Sequence, residues 1–532
     1  MSDIASGDAI VSGRTLPRGF AIEADVVVIG SGAGGAVAAT LLAEAGRKVV
    51  VLEEGPYVRP EDYQRFLPSD SVRRLFREAG MTMALGIGQT PMISILAGRA
   101  VGGSSLLTGG VCFRIPGEVH HTWEKELGLP ELSERAYEAA YEDVERRCEV
   151  SEVPVSARSA STNKFVEGAA RLGIPMQPTH RNTGDACEGN ARCNFTCPAG
   201  AKRSVDVAYL PTATKNGARI VADALVTGVL RKGGRAAGVE GRLLGGEGGA
   251  PGHRFEVRAP IVIVACGTLH TPLLLGSAGL GKSSGQLGRN VTLHPAVRCV
   301  ARFDERLDGW NGSLQSVYSD HFHDEGIKLV GVYTATNFLA AGLPGVGPAL
   351  RRRIRDLPNC GVFGGMIHDE GGGAIRRGPG REGILSYRMA PRDLQRLKRC
   401  TAILAEIAIA AGAREVFTSI FGMAPITDMD GVRAMEHADI DARRIECMAF
   451  HPLGSARAAR DARGGLVDAR GESWELPGLF VLDGSVLPTS IGVNSQIPIM
   501  ATATKLAWEI DARAARIRAG STAASAPVQL GA

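Results

Sequence analysis

No stretch of eighteen or more apolar residues occurs in the 532-residue chain, so nothing in it reads as a membrane-spanning helix. A strong charge of one sign is also missing. The 60 Lys and Arg against 56 Asp and Glu leave a formal net charge of +4, which gives no electrostatic footprint for nucleic acid. One dense basic run, "RRRIRD" at 351–356, is short and reads as a solvated helix face rather than a polyanion site. The N-terminal segment has neither the apolar centre of a signal peptide nor a twin-arginine pair, so no export signal is expected. The resulting reading is a cytoplasmic protein, with peripheral membrane contact left open. In that reducing compartment ten cysteines argue against a disulfide framework. The last residues, "RAGSTAASAPVQLGA", are small and polar and predict a disordered tail over 516–532. What remains, 44% hydrophobic and 22% charged, is the composition of an ordinary globular protein long enough for two or three domains.

The passage "ADVVVIGSGAGGAVAATLLAEAGRKVVVLEEGP" carries the first positive signal. Val26 to Ile29 is an apolar β-branched run suited to a strand buried on both faces of a parallel sheet. Gly30-Ser31-Gly32-Ala33-Gly34-Gly35 then fits G-x-G-x-x-G, an alanine-rich helix runs to Gly46, and a second apolar strand, Val49 to Leu52, ends at Glu53. Gly30 permits the tight turn, Gly32 lets a pyrophosphate approach the backbone, and Gly35 allows close packing of helix on strand. The helix N-terminus offers free N–H groups and positive dipole to phosphates. Glu53, eighteen residues after Gly35, is placed for the ribose hydroxyls of an adenosine. These parts predict a dinucleotide site and do not by themselves separate FAD from NAD.

Three of the ten cysteines, Cys187, Cys193 and Cys197, fall within "CEGNARCNFTCPAGAKRS" at x5 and x3 spacing, with Pro198 directly after. Three thiolates and a following proline fit part of an iron–sulfur run, although the bacterial ferredoxin pattern uses x2 spacing and four cysteines. Three ligands also fall one short of a tetrahedral structural zinc site. A turn-rich structural loop is the preferred reading, an iron–sulfur cluster stands second, and zinc or a disulfide last.

Four further passages carry a resemblance. "GRAVGGSSLLTGGVCFR" (98–114) is similar to the flavin loop of the glucose-methanol-choline (GMC) oxidoreductases, and "CGTLHTPLLLGSAGLG" (266–281) to their second signature. "HPLGSARAARDARGGLVDARG" and "LFVLDGSVLPTSIGVNSQIPIMATATKLA" resemble their catalytic block. Within the family the likeness is greatest to long-chain alcohol oxidases, through "AKRSVDVAYLPTATKNGARI", "FRIP" and "ILSYRMAPRDLQRLKRCTAILAEIAIAAGAREVF", and some of it is shared with cholesterol oxidases. The cysteine loop is similar to one in the flavin subunits of membrane-linked sugar dehydrogenases of this family, which hold a three-iron cluster there.

The resemblance implies an α/β fold: a doubly wound, Rossmann-like FAD domain (20–300), an α+β substrate domain on an antiparallel sheet (301–440), and a C-terminal return to the FAD domain (441–515). Gly30, Gly32, Gly34, Gly35 and Glu53 would bind FAD at the first loop. Gly102, Gly103, Ser104, Ser105 and Thr108 would lie along the flavin and pyrophosphate, Val226 by the adenine, and Gly267 in the second signature. Asp483, Ser495 and Gln496 would reach the ribityl chain and ring. Thr108 stands where most members have Asn, Ser495 replaces a usual Pro, and Pro498 stands where many have Thr. Leu106 and Leu107 offer no histidine for a covalent link, so the FAD is expected to be non-covalent.

The implied reaction removes a proton from the hydroxyl of an alcohol and a hydride from its carbon, the latter to flavin N5. His451 in "HPLGS" matches the family's general base, for which a histidine near its ordinary pKa is suited. Asn494 in "GVNSQ" matches the partner that holds the hydroxyl. His294 and His270 are read as structural. Leu394, Leu397, Leu404 and Ile407 form one helical stripe, read as core. The substrate implied is a lipophilic alcohol, long-chain or alicyclic, with O2 or a redox partner as electron acceptor and no resident metal. The alternatives are a sugar or polyol dehydrogenase with an iron–sulfur cluster, and a flavin-bearing lyase or decarboxylase on the same fold.

Overall fold

The computed structural model describes residues 8–245, 251–333 and 336–519. A parallel sheet forms its first layer, built from β1 (Ile10–Ser12), β2 (Val26–Ile29), β3 (Val49–Leu52), β4 (Arg219–Ala222), β5 (Ile261–Val264) and β6 (Leu479–Val481) in the order β1-β4-β3-β2-β5-β6. β2, β3 and β5 read VVVI, VVVL and IVIV and are buried along their whole length. Strands covered by helices on both faces need such continuous apolar runs. Helix α1 (Ala33–Glu44) follows β2 directly, and α2 (Gly267–Ser277) follows β5. The last helix, α4 (Gln496–Ala519), packs on α1 and extends through 516–519. The rest of the tail expected to be disordered, 520–532, lies outside the described residues.

The second layer is a large mixed sheet of eleven strands among the described residues, antiparallel at most pairings. Parallel pairs join 383–388 to 83–86 and 447–449 to 93–95. Strands before residue 301, at 83–86, 93–95 and 177–178, belong to this sheet, so boundaries drawn by residue number cut across it. Helix α3 (Pro391–Ala410) covers one face, with Leu397, Leu404 and Ile407 fully buried in the second apolar core. The basic run at 351–356 sits on a short helix, Gly347–Arg355, with no buried residue.

Backbone packs against backbone where β2 and β6 end. A Cβ on Gly34 would lie 1.7 Å from the Leu482 carbonyl oxygen, and one on Gly35 would lie 2.0 Å from that of Gly30. Gly30 itself has φ +96°, a conformation that disfavours any side chain. Gly32 differs: a Cβ there would meet nothing closer than Gly103 Cα at 3.8 Å. Packing therefore requires Gly34 and Gly35, whereas Gly32 leaves space open. Gly34→Ala should lower stability by about 1–3 kcal/mol, as overpacked cores do, while Gly32→Ala should leave the melting temperature of the apoprotein unchanged and weaken only flavin retention. Equal melting temperatures for the two variants would contradict this division.

Candidate active site

A cavity of about 540 Å³ opens at the carboxyl edge of the parallel sheet, against the large sheet. Doubly wound folds bind their ligands in this crevice. The N-terminus of α1 faces it, capped at Gly32 without a side-chain hydrogen bond, so its first N–H groups remain available for an anion. Beside it, Gly102 (φ +97°) and Gly103 (φ +55°) bring a second glycine turn to within contact of Gly32. Ser31 joins the two turns to β3: its hydroxyl donates to Glu53 at 2.7 Å and accepts from the Gly102 N–H at 3.1 Å. Burial raises the pKa of Glu53 above the usual carboxylate range, against the pull of hydrogen bonds from Gly55 and Ser31.

Of the residues expected at the cofactor, Gly30, Gly32, Gly34, Glu53, Gly103, Ser104, Ser105, Thr108, Val226, Gly267, Asp483, Ser495 and Gln496 line this cavity. Gly35 and Gly102 do not, and act in the packing behind it. Asp483 lines the wall, yet its two oxygens already accept four protein donors: the N–H groups of Gly267 (2.9 Å) and Ser485 (2.8 Å) and the hydroxyls of Thr271 and Ser485 (both 2.5 Å). It is the knot that ties α2 to the segment after β6. Thr108 donates to the Gln496 side chain at 2.7 Å, so the residue departing from the family pattern couples the flavin loop to α4. The open helix end, the glycine turns and the acid at β3 suit the phosphates and ribose of FAD.

His451 and Asn494 also line the cavity, and Asn494 Nδ2 lies 3.1 Å from His451 Nε2. With Nε2 accepting, the neutral ring carries its proton on Nδ1, which is buried without a partner among the described residues. The expectation of a histidine near its ordinary pKa does not hold here. Burial, helped by neighbouring His294 and opposed by Asp369, pushes His451 down to about 3. His294 is likewise pushed to about 3 by burial and His368. Its Nε2 accepts the N–H groups of Ile491 and Gly492, both at 3.1 Å, and so fixes the turn that precedes Asn494.

Several residues at the site carried no sequence signal, because their partners are remote in the chain. Arg77, nearly buried, bridges Glu54 and Glu382, each at 2.9 Å, and His270 meets Glu382 at 2.9 Å. Of this cluster Glu54, Arg77 and His270 line the cavity, beside Arg377 and Arg381. Lys202 and Arg181 are buried behind the flavin loop. Lys202 donates to the carbonyls of Leu106, Thr108 and Cys193, and Arg181 donates to that of Gly109.

The three clustered cysteines are free thiols. Arg181 lies 2.9 Å from Cys193 Sγ and 3.9 Å from Cys187 Sγ. Burial raises the Cys187 pKa, but the Ser313 hydroxyl and Arg181 outweigh it and bring the thiol below its ordinary value. The three sulfurs are not gathered into one metal-holding group. Cys193 faces a cation, and no group of three or more His, Cys, Asp or Glu side chains that could hold a metal ion exists among the described residues. No helix among those residues is long and apolar enough to cross a membrane.

The chain matches the two family models described as GMC oxidoreductase over residues 25–296 and 383–503. It is 35% identical to an uncharacterised GMC-type oxidoreductase of Mycobacterium tuberculosis, over 93% of this chain and 77% of the relative. A long-chain-alcohol oxidase of Arabidopsis thaliana is 30% identical over 91% of this chain and 67% of the plant protein. Among solved structures, pyridoxine 4-oxidase from Mesorbium loti superposes with TM-score 0.69 at 18% identity, covering 91% of this chain and 98% of that one. A formate oxidase variant of Aspergillus oryzae, studied for FAD modification, gives TM-score 0.72 at 16% identity, with coverage of 93% and 99%. The paired glycine turns, the cavity at the sheet edge and these matches agree: the chain belongs to the GMC oxidoreductase family of FAD-dependent enzymes.

Proposed function

We propose that this enzyme oxidises a lipophilic alcohol, long-chain or alicyclic, to an aldehyde or ketone, with dioxygen as electron acceptor. The observation that carries the reading is the His451–Asn494 pair, which shares one polar locus in the cavity wall. Support for the substrate class comes from the plant relative named a long-chain-alcohol oxidase and from the apolar side chains of Leu107, Leu314, Val332 and Phe450 along the cavity.

The glycine turns and Glu53 would hold FAD non-covalently, and the flavin would supply the hydride acceptor. The protein supplies a base and a position. A neutral His451 takes the hydroxyl proton on Nε2, and the Asn494 carboxamide holds the hydroxyl oxygen so that the carbon-bound hydrogen faces the acceptor. The charge that His451 then acquires is favoured by Asp369, the one group that raises its pKa. Asp369 is itself held in place by the hydroxyls of Ser490 (2.6 Å) and Tyr387 (2.5 Å). Desolvation of the ring, whose Nδ1 is buried, is what keeps the imidazole uncharged before substrate enters.

His451→Ala should lower turnover by about 10²- to 10⁴-fold, the usual worth of a general base, with flavin content unchanged. Near-normal turnover would remove His451 from the mechanism. An alcohol of the proposed class should bleach the bound flavin without oxygen; a lyase would leave it oxidised.

The histidine pair also sets a pH dependence. Both rings have folded-state values of about 3, below the ordinary 6.5, so the unfolded chain binds more protons between those limits. Stability from this source is complete above pH 6.5 and is lost progressively as pH falls toward 3. Urea midpoints measured between about pH 4 and pH 7 should therefore fall less steeply for His294→Asn than for the wild type. Parallel slopes would show that His294 does not titrate in this way.

A further inference from the structure

We propose that Asn194 and Gln315 form a second polar contact for the substrate, so that the enzyme takes an alcohol bearing another hydrogen-bonding group, a hydroxyl or carbonyl, beyond an apolar spacer. The inference rests on the alcohol-oxidation reading and narrows its substrate class.

Asn194 comes from the cysteine-rich loop, and that loop is held firmly. On one side Lys202, itself buried, donates to the Cys193 carbonyl at 2.8 Å and to those of Leu106 (2.6 Å) and Thr108 (3.1 Å), while Arg181 holds Cys193 Sγ. On the other, the Ser71 hydroxyl donates to the Phe195 carbonyl at 2.6 Å. Between these anchors Asn194 lines the cavity. Its Oδ1 is buried, and its carboxamide has no hydrogen-bond partner among the described residues.

Gln315 reaches the cavity from the large-sheet side, between buried Leu314 and Ser316. Its Oε1 lies so close to Gly109 that a Cβ there would sit 1.8 Å away, which accounts for that glycine. The Gln315 carboxamide also lacks a partner among the described residues. The loop that carries Asn194 is thus held to Leu106 and Thr108 through Lys202, and the Gln315 amide lies against Gly109, while Leu107, Leu314, Val332 and Phe450 make other parts of the wall apolar. The buried Asn194 Oδ1 left unpaired is unfavourable, Gln315 is half-buried beside the same cavity, and a site built to hydrogen-bond a group discriminates against analogues that lack it. A simple alkanol leaves both amides unpaired; an alcohol with a distal hydroxyl or carbonyl pairs them.

The test compares primary n-alkanols with the α,ω-diols of the same length, reading kcat/KM for anaerobic flavin reduction in the wild type, Asn194→Leu and Gln315→Leu. The wild type should prefer one length of diol over its matched alkanol by about tenfold or more, and each variant should bring that ratio toward one at unchanged flavin content. Equal rates for diol and alkanol at every length in the wild type overturn the proposal, as does a preference that survives in both variants. Should one variant fail to fold, the wild-type panel and the other variant decide. If no alcohol of either kind reduces the wild-type flavin, the alcohol reading itself has failed and this inference falls with it.

Discussion

The site depends on one constraint: backbone must touch backbone at the carboxyl edge of the parallel sheet. Gly34 lies against the Leu482 carbonyl and Gly35 against that of Gly30, with no room for a side chain at either. These contacts draw α1 onto β2 and β6 together and leave its N-terminus open toward the cavity. From the same place β6 runs into Asp483, whose four accepted hydrogen bonds tie the segment leading to Asn494 to the start of α2. The glycine turn and the segment that carries Asn494 are therefore positioned by one packing event, although some 450 residues separate Gly34 from Leu482.

A second consequence concerns charge. The imidazoles of His294 and His451 lie 5.5 Å apart, centre to centre, in a region too buried to hold two positive charges. Burial settles the matter by keeping both neutral, and their roles then differ by what their Nε2 atoms meet. His294 has its lone pair occupied by two backbone N–H groups, so it is a fixed part of the turn. His451 meets only the amide of a side chain, which an incoming hydroxyl can replace. Under the proposed function, chemistry falls to the histidine whose hydrogen bond can be exchanged.

Local patterns made much of this legible. Strand, glycine turn, helix and acid follow one another within 24 to 56, and Val26–Ile29 and Val49–Leu52 are the strands that their apolar runs predict. His451 and Asn494 were recognisable through their motifs, and the structure puts their polar atoms 3.1 Å apart. What stayed hidden depends on pairing across long separations. Nothing near residue 77 indicates that its guanidinium meets Glu382, and nothing near residue 202 indicates that its ammonium ends beneath Leu106 and Thr108. The lowered pKa of His451 was likewise invisible, since it arises from burial by segments distant in sequence.

The cysteine-rich loop is held by cations rather than by its own spacing. Its sequence favours a structural loop with an iron–sulfur cluster as the second reading, and the folded loop places a buried guanidinium 2.9 Å from Cys193 and a buried ammonium 2.8 Å from the carbonyl of the same residue. Cations at those positions suit a loop that must be held against the carbonyls of a neighbouring turn. Lys202 spends its donors on three carbonyls, two of them in the flavin loop, and gives up part of its basicity to burial, with a pKa near 8. Such an arrangement is costly unless it fixes something that matters. What it fixes is the inner wall of the cavity from Leu106 to Gly109, the stretch through which Thr108 reaches Gln496 beside the catalytic block.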